Sequence, residues 1–326
     1  MPKIGSGDWN DGFSTVGNKG IGESIWLAFF LHNVLEKFIP ICESKQDEAQ
    51  AQNFKQIMNI LEQAVNEHAW DGRWYKRAYT DDGKVIGSME NEEARIDSIA
   101  QSWSVITNVG EKERQQIAME EAENQLIDRE NAIIKLLDPP FEKSDLNPGY
   151  IKSYLPGVRE NGGQYTHAAL WLVWAMTLLE QGNKAVEYYK YITPIEHSRT
   201  REIANKYKVE PYVVVADMYG AQNLIGRGGW TWYTGSSSWY LKIGLETILG
   251  LQIKDNMLSI KPCIDSNWKE YTIRYRYKTS IYNIKVRNPD GKQSGVTSFK
   301  HNGQEIAEKQ LKLIDNGAIN EVEVVM

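Results

Sequence analysis

Residues 23–68 read ESIWLAFFLHNVLEKFIPICESKQDEAQAQNFKQIMNILEQAVNEH, and the contrast between the two halves of this stretch indicates the fold. The first half predicts a helix over 23–38 with apolar side chains around most of its circumference, which Pro40 is expected to help end. The second half predicts an amphipathic helix over 47–68. Because a helix that is apolar all round must be covered on both sides, the pair indicates an inner and an outer helix.

The same alternation continues along the chain and then changes. Further helices are predicted at 98–107, 112–137, 164–181, 183–191 and 237–249, joined by loops rich in Gly, Trp, Tyr and Asn. After residue 254, apolar and polar residues alternate with period two between the turns NPDG (288–291) and HNG (301–303), which is typical of paired strands. We therefore expect a mainly α fold, with a helical toroid over 1–254 and a small antiparallel, sandwich-like β module over 255–326.

Composition excludes several classes of protein. The 326 residues carry 37 Lys and Arg against 43 Asp and Glu, a net charge of −6, which disfavours nucleic acid as a partner. Cys42 and Cys263 cannot form a disulfide framework and suggest a reducing, cytoplasmic setting. The start of the chain lacks the pattern of a signal peptide, and 161–179 indicates a buried helix and no membrane span. The five histidines are scattered, so no metal site is predicted.

The aromatic content points to a ligand class. The chain has 11 Trp, 17 Tyr and 7 Phe, and many of them lie beside Gly, Asn, Asp or Thr. Flat rings cover the C–H faces of sugars while neighbouring amides and carboxylates bind hydroxyl groups. Core packing is the alternative for most individual rings.

The first candidate for chemistry is GSGDWNDG at 5–12. Asp8 and Asp11 flank a tryptophan in a glycine-rich loop, where burial against a ring would raise a carboxyl pKa and suit a general acid. The alternative is that these residues cap the following helix or shape a turn.

Two later segments are candidate anion sites. RENGGQYTH at 159–167 leads into a helix, and TGSS at 234–237 begins another; backbone N–H groups at a helix start favour anions. The alternative for the first is that Asn161 caps the helix and His167 is a core residue. Neither a Walker loop nor GxGxxG is present, so no dinucleotide fold is indicated.

A weaker cluster occupies residues 77–106. Its members could line the same cavity or carry ordinary surface charge, and they are Arg77, Glu93, Asp97, Gln101 and Trp103.

Taken together and in this order, the motifs resemble glycoside hydrolase family 94, formerly glycosyltransferase family 36. The motifs are GDWNDG at 7–12, the stretch 18–28, RENGGQYTHAA at 159–169, VEPYVVVADMYG at 209–220 and GRGGWTWYTGSS at 226–237. Within that family of inverting phosphorylases, the chain is most similar to the phosphorylase-like region of cyclic β-1,2-glucan synthases and to 1,2-β-oligoglucan phosphorylases. The resemblance implies an (α/α)6 barrel.

The resemblance also implies residue roles. Asp11 would be the general acid, and phosphate would be bound by His167, Thr234 and Gly235. The sugars would be bound by Trp9, Tyr154, Arg159, Glu160, Gln101 and Trp232, with Tyr150 in the loop that shapes acceptor choice. Where cellobiose-type members carry a glutamine after EPYV, this chain has Ala216-Asp217, so that role is not carried over.

The implied reaction is phosphorolysis of a β-glucoside, with β-1,2-linked glucose as the expected substrate. Phosphate attacks C1 with inversion while Asp11 protonates the leaving oxygen, so phosphate is a co-substrate and no cofactor or metal is required. Because family members begin well before the catalytic loop, we expect a partial barrel, apolar faces on the inner helices and a polypeptide partner carrying the N-terminal half. The alternatives are an inverting hydrolase with Glu160 as base, and a non-catalytic carbohydrate-binding or assembly subunit.

Overall fold

The computed structural model describes all 326 residues. The helices are α1 (Ile25–Ser44), α2 (Glu48–Ala64), α3 (Ser98–Thr107), α4 (Lys112–Leu126), α5 (Thr166–Leu178), α6 (Gly182–Ile192), α7 (Arg201–Tyr207) and α8 (Thr234–Lys242). Turns of π-helix extend α2 and α8, over Val65–Ala69 and Ile243–Ile248, and short 3-10 turns lie at Tyr150–Ser153 and Glu196–Ser198.

Nine two-residue strands lie among the helices. They are β1 (Glu23–Ser24), β2 (Ala78–Tyr79), β3 (Val85–Ile86), β4 (Ile96–Asp97), β5 (Ile127–Asp128), β6 (Ile133–Ile134), β7 (Leu137–Asp138), β8 (Gln164–Tyr165) and β9 (Asp217–Met218). The C-terminal part adds β10 (Leu251–Lys254), β11 (Met257–Ile260), β12 (Glu270–Tyr277), β13 (Ser280–Arg287), β14 (Ser298–His301), β15 (Gln304–Glu305), β16 (Gln310–Lys312) and β17 (Ile319–Val325).

The chain forms two compact units. The first comprises 1–175 and 191–236, and the second comprises 176–190 and 237–326. These two units are defined by how compactly the backbone packs. They do not test the domain boundary expected at residue 254, which stays a prediction.

The first unit contains alternating inner and outer helices. α1 packs against α2 and α3, and α3 packs against α4. The helices α1, α3 and α5 each begin directly after a two-residue strand, β1, β4 and β8 respectively. The residues at these junctions are polar yet buried, as Ser24, Asp97 and Thr166 show. Buried polar groups therefore lie at the N-terminal ends of the inner helices.

The helix α1 is longer than predicted. It continues to Ser44 with Pro40 inside it, so the prediction that Pro40 helps end the helix is wrong. Proline removes one backbone donor, but Pro40 and Glu36, whose carbonyl loses its partner, both lie on the exposed side. The buried side chains of Ile39 and Cys42 hold the following turn against the core.

By length and composition α1 would also pass as a membrane-crossing helix, although 44% of its most apolar window is buried within the fold. The core helix of a protein can have the same length and apolar composition. Helix α1 is the one helix in the chain that has both.

The helix predicted over 112–137 is shorter than expected. It ends at Leu126, and β5 then pairs antiparallel with β6. The turn between these strands is held by Asp128, whose carboxylate accepts hydrogen bonds from the backbone N–H and the side-chain amide of Asn131. This local bonding and the β-branched residues Ile127 and Ile133 favour a hairpin over a helix.

The second unit contains the period-two segments as strands. A five-stranded sheet has the order β12-β13-β17-β14-β15, and a three-stranded sheet has the order β10-β11-β16. Alternate residues of β13 and β17 are buried, which gives the sheet one apolar face. The expectation of a wholly antiparallel module is wrong at one ladder, because β13 and β17 run parallel. Alternation shows which face is buried but not the direction in which a strand returns.

Candidate active site

The glycine-rich loop at 5–12 is anchored by the side chain of Asp8. The carboxylate of Asp8 is fully buried and forms a bidentate pair with Arg77, at 2.6 and 2.7 Å. It also accepts hydrogen bonds from the Ser24 hydroxyl at 2.6 Å and from the backbone N–H of Asn10 at 2.9 Å. Burial alone would raise the pKa of Asp8, but the charge of Arg77 and these hydrogen bonds outweigh it, so the net pKa is lowered. Asp8 is therefore an ionised structural anchor.

Arg77 joins a second buried carboxyl to this anchor. Its Nε lies 3.3 Å from Oδ2 of Asp97, and both side chains are at most 3% exposed. Burial raises the pKa of Asp97 to about 6, against the opposing charge of Arg77 and a hydrogen bond from the backbone N–H of Ile99. Asp97 caps α3 through that bond.

Gln101 is placed differently from its predicted role. It is fully buried, its side-chain oxygen accepts from the backbone N–H of Tyr75, and its amide nitrogen donates to the carbonyls of Tyr75 and Asp97. These bonds occupy both ends of the amide, so in this structure Gln101 supports the backbone and offers no open face to a sugar. Glu93 of the same cluster holds the 142–144 turn through its carboxylate.

Unlike Asp8, Asp11 is exposed to solvent. Gly7, at φ +129°, lets the loop turn tightly, because a Cβ there would lie 2.9 Å from the Asp11 Cα. Burial and the nearby Asp11 carboxyl raise the pKa of Tyr150. Burial raises the pKa of Glu160, and the negative charge of Asp11 adds to that increase.

Trp9 connects the loop to the start of α5. Its indole N–H donates to Nδ1 of His167 at 3.3 Å, and its ring meets that of Tyr165 edge-to-face at 5.3 Å. Burial lowers the pKa of His167 to about 4, so the imidazole is neutral at pH 7. Because Nδ1 accepts, the proton of the neutral ring lies on Nε2.

Arg159 and Glu160 form the next part of the site. The Arg159 guanidinium lies between the rings of Tyr154 and Trp230, at 5.0 and 4.8 Å from their centroids. Its Nε is 3.4 Å from the buried carboxylate of Glu160. Burial raises the pKa of Glu160, and the pairing with Arg159 opposes the increase.

Asp217 is a site residue to which the sequence analysis assigned no role. It is 2% exposed and accepts a hydrogen bond from the backbone N–H of Arg159 at 2.9 Å, which holds Arg159 at φ +53°. Burial raises the pKa of Asp217 to about 6. Gly229 leaves room for this carboxylate, because a Cβ there would lie 2.0 Å from it. The signal in the sequence was a lone acid after the aliphatic run at 213–216.

The second predicted anion segment begins α8. The hydroxyl of Tyr233 lies 3.4 Å from that of Tyr165, which brings this segment to the start of α5. Thr234 is the first residue of α8, and the space where a Gly235 Cβ would point is open. Trp232 is 64% exposed and lies against Tyr212, with its indole N–H 3.4 Å from Glu210.

The structure thus joins three motifs that are far apart in the sequence, those at 7–12, 159–169 and 226–237. Contacts run from Trp9 to His167 and Tyr165, and from Tyr165 to Tyr233. The charge of Asp11 acts on Tyr150 and Glu160. None of these contacts joins Gln101 or Trp232 to Asp11. The assembled groups are an exposed acid, a neutral imidazole, an aromatic-clamped guanidinium and two buried carboxyl groups of raised pKa. Such a set can deliver a proton beside bound polar and anionic groups.

The amino-acid sequence of this chain is similar to those of several curated proteins. The chain is 42% identical over 301 residues to a protein described as cyclic beta-(1,2)-glucan synthase NdvB from Rhizobium meliloti (strain 1021), covering 92% of this chain and 11% of that protein. It is 29% identical over 322 residues to a solabiose phosphorylase from Paenibacillus borealis, covering 98% of this chain and 41% of that enzyme. The chain therefore spans about a tenth and about two fifths of these relatives.

A solved structure shares the fold at low sequence identity. A chain described as a sialidase matches with a TM-score of 0.55 and 12% identity, over 84% of this chain and 24% of its own length. The similarity supports the architecture alone.

The family model described as the glycosyl hydrolase 94 superfamily, catalytic domain, matches residues 1–250. These residues include all the predicted site residues and the helical part that the sequence analysis assigned to an (α/α)6 barrel. The chain therefore belongs to the glycosyl hydrolase 94 superfamily.

Proposed function

We propose that this chain carries the general-acid and phosphate-binding part of an inverting glycoside phosphorylase. The observation that carries the proposal is the geometry of the glycine-rich loop at 5–12, in which Asp11 is exposed while Trp9 donates a hydrogen bond to His167. Membership of a superfamily whose matched relatives include phosphorylases supports the same reaction.

In the proposed reaction, a phosphate oxygen forms a bond to C1 of the terminal glucose as the glycosidic bond breaks. The proton of Asp11 passes to the leaving oxygen, and the products are α-glucose 1-phosphate and a shortened sugar. Phosphate is already a nucleophilic anion, so one acid suffices where an inverting hydrolase needs a second carboxylate to activate water. His167, protonated on Nε2, can donate a hydrogen bond to phosphate without first taking up a proton.

The proposed substrate is a β-1,2-linked glucooligosaccharide. The support is the 42% identity to a relative described as a cyclic beta-(1,2)-glucan synthase, which exceeds the identity to the phosphorylases of other disaccharides. Arg159, stacked between Tyr154 and Trp230, supplies donors and flat rings suited to the sugar that accepts the leaving oxygen.

The first experiment measures α-glucose 1-phosphate released from β-1,2-glucooligosaccharides in phosphate. With the expected polypeptide that carries the N-terminal half supplied, we expect release by the parent and a loss of at least about a hundredfold in Asp11→Asn, because removal of a general acid costs on that order. Asp145→Asn is the matched control, since Asp145 is an exposed aspartate outside the site. Sugar release that does not require phosphate would establish the hydrolase alternative, and no release at all would favour the non-catalytic subunit.

A second variant tests the phosphate role. His167→Ala should raise the KM for phosphate by about tenfold, corresponding to the loss of one hydrogen bond to a charged group. The KM for the oligosaccharide should change less, since the proposed contact is to the anion. Equal changes in both KM values would contradict the assignment.

A further inference from the structure

The feature that the proposed reaction does not use is the buried carboxylate of Asp8. It receives four donors: two from Arg77, one from Ser24 and one from the backbone N–H of Asn10. An ion pair buried to this degree contributes little net stability, because desolvation of both charges offsets their attraction. What such a pair supplies is a fixed orientation, since few other arrangements satisfy both charges.

The network fixes Asp8 to the rigid part of the fold. Ser24 caps α1, with its hydroxyl accepting from the backbone N–H of Leu27, and Asp97 caps α3. Arg77 lies between the two and also accepts, through its carbonyl, the backbone N–H of Ile25. The starts of two inner helices therefore converge on the guanidinium that holds Asp8.

From Asp8 the constraint passes along the loop to Asp11. The Asp8 carboxylate accepts the backbone N–H of Asn10, and the side-chain oxygen of Asn10 accepts the backbone N–H of Gly12 at 3.1 Å. These two bonds bracket Asp11 in the chain. A loop with glycines at 5, 7 and 12 would otherwise have many conformations available.

We propose that Asp8, held by Arg77, is a positioning residue for the exposed carboxyl of Asp11. The inference rests on the proposed function, since it assigns Asp8 to the orientation of the proposed acid. A misplacement of a reacting group by 1 Å costs about a hundredfold in rate, so an acid on a glycine-rich loop requires such an anchor.

Two measurements test the proposal on the intact chain. The first is amide hydrogen exchange of the 7–13 segment in Asp8→Asn, where we expect exchange to be faster by about tenfold, as the loss of one or two hydrogen bonds implies. Asp97→Asn is the matched control, because Asp97 contacts the same guanidinium but makes no hydrogen bond to the loop. It should speed exchange at the start of α3 and leave the 7–13 segment unchanged.

The second measurement is the kinetics of phosphorolysis. Asp8→Asn should lower kcat by about a hundredfold while the KM for phosphate stays within about twofold, because the acid is displaced and the anion site is intact. A merely structural role would lower the amount of folded protein without this division between kcat and KM.

The outcomes separate the two hypotheses. Loop exchange and kcat of Asp8→Asn equal to the parent would overturn the positioning role, even if Asp11→Asn is inactive. Full activity of Asp11→Asn with faster loop exchange in Asp8→Asn would refute the proposed function alone. If Asp8→Asn does not fold, Asn10→Ala decides, since it removes the bond to Gly12 and leaves the ion pair; unchanged loop exchange in that variant would also overturn the proposal.

Discussion

At the scale of single residues, two aspartates three positions apart have opposite environments. Asp8 is fully buried with four donors on its carboxylate, whereas Asp11 is exposed. The sequence alone presents both as acids beside Trp9 in a flexible loop. The difference arises from Arg77, which comes from a distant part of the chain, so no local pattern could predict it.

The pKa of His167 predicts how stability depends on pH. Its pKa is lowered from 6.5 to about 4 by burial, so the folded state disfavours protonation relative to the unfolded chain. The stabilisation from keeping the ring neutral is present above pH 6.5 and is lost as the pH falls through 4. Across that window the free energy of unfolding should decrease by no more than about 3 kcal/mol on account of this residue.

The measurement is urea unfolding of the parent and of His167→Asn between pH 7 and pH 4. Asparagine keeps polar atoms near Trp9 but does not titrate, so the variant should show the weaker decrease. A parallel pH dependence in both proteins would exclude His167 as the source.

At the scale of elements, the inner helices depend on the caps at the starts where polar groups are buried. Ser24 caps α1 and donates to Asp8, whereas Asp47 caps the outer helix α2 at an exposed position. We expect Ser24→Ala to lower the free energy of unfolding by about 2 kcal/mol or more, since it removes a cap and a donor to a buried carboxylate. Asp47→Ala should cost about 1 kcal/mol or less.

Denaturant unfolding followed by far-UV circular dichroism compares the two cap variants. Equal costs would mean that the buried bond from Ser24 to Asp8 contributes nothing beyond an ordinary cap.

The elements themselves were predicted unevenly. The helix over 98–107 is confirmed at both ends, because Asp97 at its start and the left-handed Asn108 at its end are local signals. The helix over 112–137 ended early because an Asp128 turn and the pairing of β5 with β6 replaced it. Pro40 does not end α1, because packing of the following turn keeps the helix intact. The direction of β17 was also not predicted by the local sequence, because it depends on pairing with β13.

At the scale of the whole molecule, α1 has an exposed apolar stripe. Phe30, Val34, Phe38 and Ile41 are 37–49% exposed at helical spacing, as the sequence analysis expected of an inner helix. Uncovered apolar surface of this kind promotes association between protein chains. Whether a polypeptide carrying further barrel helices covers it stays a prediction.

Neighbouring positions on α1 give a matched test of the stripe. Val34→Lys should reduce self-association at high protein concentration and leave unfolding nearly unchanged, because position 34 is 41% exposed. Leu35→Lys, at a position 6% exposed, should cost about 3 kcal/mol or more because it buries a charge. Light scattering and thermal unfolding distinguish the two, and unaltered scattering in Val34→Lys would rule out the stripe as the associating surface.

The amino-acid sequence by itself determined the alternation of inner and outer helices, the strand-rich C-terminal part and the motifs that indicate the family. These features depend on periodicity and short-range spacing, which are properties of neighbouring residues. Only the tertiary structure decided that Asp8 pairs with Arg77, that Asp217 holds Arg159, and that Gln101 bonds to backbone. The physical reason is that burial and charge pairing are set by residues distant in sequence, which meet only when the chain is folded.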